Sequence, residues 1–154
     1  QLNVSKLTDT GGYYVMNGGM LPSGYHSEYN SDAEIISISE GGNSCGYVQY
    51  NYTKFWSGGH CYTLNNIDII IKNKYLYHLL SANENKIMAL RVGSGLPNIQ
   101  KSTLEKFEVK IPDPYEQERV LLAFESLSDK ITVESKLNRQ YQMQKNYLLQ
   151  NLFI

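Results

Sequence analysis

The sequence predicts an α+β protein in two parts. A mixed globular domain with a twisted β-sheet and short helices occupies residues 1–112, and one long helix follows over residues 113–154. Three observations predict this. All twelve glycines lie between Gly11 and Gly95 and all four prolines at or before Pro114, so residues 115–154 contain no helix breaker. Short runs rich in β-branched and aromatic residues punctuate the first part, separated by glycine pairs. The tail instead repeats its apolar residues with helical spacing.

The chain opens with a glycine-rich stretch that carries Tyr13, Tyr14, Asn17, Tyr25 and His26. Strands are expected at Glu34–Ser39, Gly46–Tyr50, Ile67–Ile71, Ile87–Arg91 and Phe107–Ile111. Asn73–Ala82 reads as a helix with Leu76, Leu79 and Leu80 turned inward. The pairs Gly11-Gly12, Gly18-Gly19, Gly41-Gly42 and Gly58-Gly59 mark tight, exposed turns on a rigid frame. Ser102 and Glu105 have capping-box spacing, which would start a short helix beside Lys101.

The long helix is well signalled. Asp113 suits the N-cap, Pro114 the first helical position, and Glu116 follows three residues after the cap. Val120, Phe124, Leu127 and Ile131 then form one apolar stripe, which Leu137, Tyr141, Leu148 and Leu152 continue after a slip near Glu134. At about 1.5 Å per residue the helix runs roughly 55–60 Å. A domain of this size would struggle to cover so long a stripe, which favours a coiled coil with a second helix over packing on its own domain.

Composition bounds the rest. With 42% hydrophobic and 19% charged residues the chain can build an ordered core. Thirteen tyrosines against four phenylalanines suit either tyrosine-rich β-structure or a surface that grips something flat and polar. Cys45 and Cys61 make no disulfide framework, and the start resembles no signal peptide, so a reducing cytoplasm is expected. No apolar run approaches the ~18 residues of a membrane span. The absence of a methionine at Gln1 fits an excised piece or a processed start. The net charge of −1 argues, by itself, against a chain that holds nucleic acid alone.

Several stretches resemble the type I restriction-modification specificity subunits. They are Lys74-Tyr-Leu-Tyr-His-Leu-Leu80, the run from Arg91-Val-Gly-Ser-Gly-Leu-Pro-Asn-Ile to Leu104, and Phe107-Glu-Val-Lys-Ile-Pro-Asp-Pro-Tyr-Glu-Gln-Glu-Arg119. The ending Leu148-Leu-Gln-Asn-Leu-Phe153 is similar to that of the family's long helix, and Gly42–Val48 and Phe55–His60 match its central segment more loosely. The resemblance implies one DNA target-recognition domain over residues 1–112 and a spacer or dimerisation helix over residues 113–154, paired in an antiparallel coiled coil. It implies binding without catalysis: the chain reads one half of a bipartite double-stranded DNA site for methyltransferase (modification) and restriction subunits. S-adenosylmethionine would belong to the methyltransferase, and no cofactor or metal to this chain. One domain with one helix is half of a full subunit, so a cut fragment and a natural half-subunit that pairs with a second recognition half or its own copy both remain open.

The resemblance also answers the charge objection. Residues 1–112 hold nine Lys or Arg and nine Asp or Glu, so the reading domain is neutral and phosphate neutralisation would fall to partner subunits. Base reading needs paired donors and acceptors, such as Arg on guanine and Asn or Gln on adenine. One candidate loop supplies Arg91, Ser94, Asn98, Gln100 and Lys101 around two glycines, with Lys101 placed for a phosphate. The alternative there is a structural loop closing the sheet. A second candidate combines Lys54 for a phosphate, Trp56 to stack or wedge, Ser57, and His60 to reach a base. Its alternative has Phe55 and Trp56 in the core and His60 bonded within the protein. Asn17 and Tyr25, with Tyr13, Tyr14 and His26, form a third set.

Catalytic readings are poorer. Asp113-Pro-Tyr115 lacks a proline of the Asp/Asn-Pro-Pro-Tyr loop of methyltransferases and serves better as a helix start. Gly93-Ser-Gly95 lacks the third glycine and the βαβ context of a dinucleotide loop. Cys45 and Cys61, with His60 adjacent, fit no zinc spacing, and His26, His60 and His78 have no evident nucleophile and orienting partner. Two rival readings stand beside the specificity subunit: a recognition domain from a single-chain restriction-methyltransferase, and a protein-interaction module whose tyrosine-rich loops hold a peptide or a sugar.

Overall fold

The structure, a computed structural model, describes residue 2 and residues 4–152. Phe153, which the sequence places in the helix ending, lies outside the described residues. The chain divides into two compact units, Gln1–Pro114 and Tyr115–Ile154.

Among the described residues the first unit holds two small sheets, three short α-helices and two single turns of 3-10 helix. Strands β1 (Tyr13–Met16), β2 (Tyr25–His26) and β5 (Trp56–Ser57) form one sheet in the order β2-β1-β5. In it β1 runs antiparallel to β2 and parallel to β5, with Val15 opposite Trp56 and Met16 opposite Ser57. Strands β3 (Ile35–Ser39), β4 (Val48–Asn51) and β6 (Cys61–Leu64) form the second sheet, antiparallel throughout, with β3 in the centre. β3 is buried from Ile36 to Ser39, as a central strand covered on both faces should be.

Helix α1 spans Asn73–Ala82, as the sequence predicts. Leu76 and Leu80 are buried and Leu79 is half-buried. Leu76 and Leu80 pack in the main core with Ile36, Ile38, Val48 and Tyr50. Burying two leucines of this kind stabilises the unit by roughly 1.5–3 kcal/mol each before entropy is counted. Val15, Met16 and Phe55 are also buried but stand outside that cluster.

Three expected strands do not form. Ile67–Ile71 is a turn: the Ile70 amide donates to Asp68 Oδ1 at 3.1 Å and the Ile71 amide to the Asp68 carbonyl at 2.9 Å. This local asparate-type turn outcompetes a ladder and leaves Ile69 98% exposed. Ile87–Arg91 falls instead in α2 (Glu84–Met88) and the turn after it, with Ile87 fully buried. A short apolar run cannot by itself tell helix from strand. Here the Glu84 carboxylate accepts from the Val48 amide at 3.0 Å and fastens α2 to β4. Phe107–Ile111 keeps its period of two, with Phe107, Val109 and Ile111 half-buried and Glu108 and Lys110 exposed, but makes no ladder among the described residues.

Two other expectations need correction. The short helix α3 is Lys101–Leu104, capped at Gln100 without a side-chain hydrogen bond, so Ser102 lies inside it and forms no capping box. Gly18 is not an exposed turn residue but buried.

Helix α4, Pro114–Leu152, has 39 residues and so extends about 58 Å. It opens at Pro114, which places Asp113 at the cap position. Among its described residues only Gln117 is buried. Val120, Phe124, Leu127, Ile131, Leu137, Tyr141, Leu148 and Leu152 are all exposed, from 36% at Val120 to 69% at Leu152. No described helix is long and apolar enough to cross a membrane.

The turn into β4 depends on Gly46. Its φ is +91°, and a Cβ there would lie 2.8–3.0 Å from Met88 Cγ, Cα and N. Gly42 has φ +71° but open space around it. Gly46→Ala should therefore destabilise the unit by about 2–4 kcal/mol, and Gly42→Ala by only about 1 kcal/mol. Chemical denaturation of both variants checks this, and equal losses would show that the Met88 contact does not matter.

Candidate nucleic-acid interface

The second and third candidate sets, the Lys54–His60 segment and the glycine-rich stretch with Asn17 and Tyr25, come together in the β2-β1-β5 sheet. β1 carries Tyr13 and Tyr14, β2 carries Tyr25 and His26, and β5 carries Trp56 and Ser57. Phe55 is fully buried and stacks on Tyr14 at 5.4 Å, so of the two neighbouring aromatics only Trp56 stays partly open. The Trp56 ring meets the edge of His26 at 5.1 Å. The glycine pairs permit this close assembly. A Cβ on Gly18 would lie 2.3 Å from the His60 carbonyl, and one on Gly58 would overlap Asn17 Oδ1.

Lys54 is tied down. Its Nζ donates to the Tyr29 hydroxyl at 2.6 Å, sits 4.1 Å over that ring, and lies 3.7 Å from Asp32. The Tyr29 contact, more than Asp32, pushes its pKa above the ordinary lysine value. Tyr29, unremarked in the sequence, thus positions the cation. Ser57 Oγ donates to the Cys61 carbonyl at 3.1 Å, so this hydroxyl serves the turn between β5 and β6. Asn30 holds the same strand from the other side, its Oδ1 accepting from the Ser57 amide at 2.6 Å and its Nδ2 donating to the Ser57 carbonyl at 2.9 Å.

The first candidate, the loop from Arg91 to Lys101, reaches the others through Glu40. The Glu40 amide donates to the His60 carbonyl at 3.0 Å, and its own carbonyl accepts from the Ile99 amide at 2.8 Å. Its carboxylate lies 3.2 Å from His60 Nδ1 and 3.2 Å from the Tyr62 hydroxyl, which also reaches the Ile99 carbonyl at 2.9 Å. Burial, and then the nearby Glu40, raise the Tyr62 pKa, so it stays a neutral donor. Glu40 was not legible as a site residue: a glutamate ending a strand carries no motif.

Residues 91–99 form a tight loop. Val92 and Asn98 exchange backbone hydrogen bonds at 2.8 and 3.0 Å, and Gly42 donates to the Pro97 carbonyl at 2.9 Å. Ile99 is fully buried, so Pro97 to Gln100 does close against the sheet, as the structural alternative has it. The side chains of Arg91, Ser94, Asn98 and Gln100 nevertheless remain exposed, as does Lys101, which pairs with Glu105 at 3.8 Å. Cys45 and Cys61 are free thiols whose pKa values burial pushes up, which makes them poor nucleophiles and ligands. No group of three or more His, Cys, Asp or Glu placed to hold a metal occurs among the described residues.

The two sheets are joined largely by polar groups. Asn51, 1% exposed, donates from Nδ2 to the Ile35 carbonyl at 2.8 Å and to Ser37 Oγ at 2.9 Å, and its Oδ1 accepts from the Tyr14 hydroxyl at 3.0 Å. The Gly18 carbonyl accepts from Ser39 Oγ and, at 2.8 Å, from Ser44 Oγ.

Comparison with known proteins fits this arrangement. Residues 2–142 match the type I restriction modification DNA specificity domain family. The chain is 32% identical over 88% of its length to a protein of Mycoplasma pneumoniae described as a type I specificity subunit, and 29% identical over 88% to one of Mycoplasma genitalium. It spans 38% and 37% of those relatives' lengths. The crystal structure of a type I restriction-modification system S subunit from M. genitalium superposes with a TM-score of 0.75 at 28% identity, covering 99% of this chain and 42% of that one. The fused-enzyme and interaction-module readings are not favoured by these likenesses.

Asn51→Ala strips a buried hydroxyl and a buried carbonyl of their partner, so it should cost about 2–4 kcal/mol, while Tyr14→Phe should cost about 1 kcal/mol. Denaturation of the single and double variants reads the coupling. If the two losses simply add, the Asn51–Tyr14 bond does not join the sheets.

Proposed function

The chain belongs to the type I restriction modification DNA specificity domain family, and from that premise we propose that it reads one half of a bipartite double-stranded DNA site on behalf of a methyltransferase and a restriction subunit. The reading is by binding alone; methyl transfer, with S-adenosylmethionine, is the partner's work. The arrangement that supports this best is the fastening of three distant segments to one frame. Asn17, Tyr25 and Trp56 hang on the β2-β1-β5 sheet, while His60 and the 91–99 loop share Glu40. Side chains held this way lose little freedom on meeting a base edge, and preorganisation is where affinity and discrimination are gained.

In the proposed roles Trp56 stacks or wedges, Lys54 and Lys101 face phosphates, and Arg91, Asn98, Gln100 and His60 address base edges. Ser57 contributes less, since its hydroxyl is spent on Cys61. A reading domain with no net charge gains little from phosphate neutralisation, so the partner subunits supply that part of the affinity. The isolated chain should bind duplex DNA feebly. Selection from a pool of randomised duplexes, with and without a methyltransferase subunit, tests this. With the subunit present, affinity for the selected sequence should exceed that for scrambled duplex by on the order of a thousandfold. No gain in selective binding on adding the subunit would refute the proposal.

The helix is proposed as the spacer. Its apolar stripe, Val120 through Leu152, is exposed in the single chain, and an antiparallel second helix from another recognition half or a second copy would cover it. Sedimentation of the native chain against Leu127→Asp and Leu148→Asp reads this directly. The native chain should associate and both variants should not. Three compact monomers of equal stability would exclude the coiled coil.

A further inference from the structure

Two histidines flank the candidate interface, and their surroundings set opposite tautomers. His26 Nδ1 accepts a hydrogen bond from the Glu28 amide at 3.1 Å. An amide can only donate, so Nδ1 is the bare nitrogen and the proton of the neutral ring sits on Nε2. His60 is the reverse. Its Nδ1 lies 3.2 Å from Glu40 Oε2, and an ionised carboxylate can only accept, so in the neutral ring Nδ1 carries the proton and Nε2 is left as a lone-pair acceptor. Tyr62 adds a second contact to the Glu40 carboxylate: its hydroxyl lies 3.2 Å from Oε1 and 2.9 Å from the Ile99 carbonyl, its one proton shared between the two acceptors. The Glu40 side chain is 23% exposed and that of His60 63%, so the orienting group is sheltered and the oriented ring is open.

We infer that Glu40 is a positioning residue for target recognition: by fixing the Nδ1–H tautomer of His60 it makes the outer nitrogen an acceptor, so that His60 takes a base amino group and refuses base oxygens, N7 and phosphate. The inference rests on the DNA reading above. In the major groove the amino donors are adenine N6 and cytosine N4, whereas guanine N7 and O6, thymine O4 and the phosphates present only lone pairs. An acceptor facing any of these leaves two unpaired acceptors in contact, which is the repulsive element specificity needs. The same residue ties the His60 carbonyl and the Ile99 amide into one backbone path. The chosen polarity is therefore delivered at a fixed place beside the 91–99 loop.

The test has two arms on the full chain. In alkaline buffer, imidazole nitrogen-15 spectra should show native His60 as Nδ1–H and His26, the internal control, as Nε2–H. Glu40→Ala should move His60 to the Nε2–H form that histidine favours when nothing holds Nδ1. Glu40→Gln, which keeps the size and one acceptor oxygen, should retain part of the native tautomer and guards against a variant that fails to fold. In the second arm the chain with its methyltransferase subunit meets its selected duplex and duplexes lacking one base amino group at a time. One such deletion should weaken native binding about fivefold and cost Glu40→Ala and His60→Ala nothing further. Native His60 found as Nε2–H, or a tautomer or amino-group dependence unchanged in Glu40→Ala, overturns the inference. A native complex that selects no duplex at all instead overturns the DNA reading, and this inference falls with it.

Discussion

The candidate interface depends on a buried amide. Asn51 ends β4, is almost fully buried, and uses both ends of its side chain: the nitrogen on Ile35 and Ser37 within its own sheet, the oxygen on Tyr14 of the other. The β2-β1-β5 sheet is too small to stand alone. Two of its strands are two residues long, and among the described residues its buried hydrophobics are Val15, Met16 and the neighbouring Phe55. Its stability is borrowed through Asn51 and through the Gly18 carbonyl, which Ser39 and Ser44 hold. Polar joints of this kind add little net energy but penalise any misplacement, because a buried donor left unpaired costs more than the bond gives. They fix position better than they add stability, and position is what a reading surface needs.

The same reasoning explains the glycines. At Gly18 the chain passes so close to the His60 carbonyl that no side chain fits, and at Gly58 the Asn17 side-chain amide takes the space a Cβ would need. These close approaches bring a segment from the first twenty residues against one near residue 60 without an intervening apolar layer. Aromatic contacts then fill the remaining space: Tyr14 on Phe55, His26 on Trp56, Tyr13 on Tyr29. Tyrosine suits such positions better than phenylalanine: Tyr14 covers Phe55 and still donates its hydroxyl to Asn51, and Tyr29 meets Tyr13 while its hydroxyl accepts from Lys54.

Features with a long-range period were legible in the sequence. Helix α1 and the 39-residue α4 were readable because Leu76 and Leu80, and the stripe from Val120, repeat over several turns. β3 was readable because Ile36 and Ile38, β-branched and both buried, alternate along it with small serines. Short elements were not. β2 and β5 are two residues long and exist only because partners distant in sequence pair with them. Ile67–Ile71 looks like a strand until Asp68 folds the backbone onto itself, and Ile87–Arg91 until Glu84 fastens it as a helix. The candidate residues could be named from chemistry, but their grouping could not. Glu40, Tyr29 and Asn30, which hold them, have no local signature.

The two units obey different constraints. In the first, hydrogen bonds between segments distant in sequence hold individual side chains in place. In the second, a stripe of large apolar residues lies exposed along a 39-residue helix in the single chain. An isolated helix of that length gains little from propensity alone, and most helical stability in proteins comes from covering such a face. The domain's sequence can therefore vary at its open side chains without disturbing Asn51, Glu40 or the glycines, while the helix can vary only where its stripe does not. Under the DNA reading proposed above, exposed positions such as Arg91 and Gln100 are where a new target would be written, because no buried joint of the frame passes through their side chains.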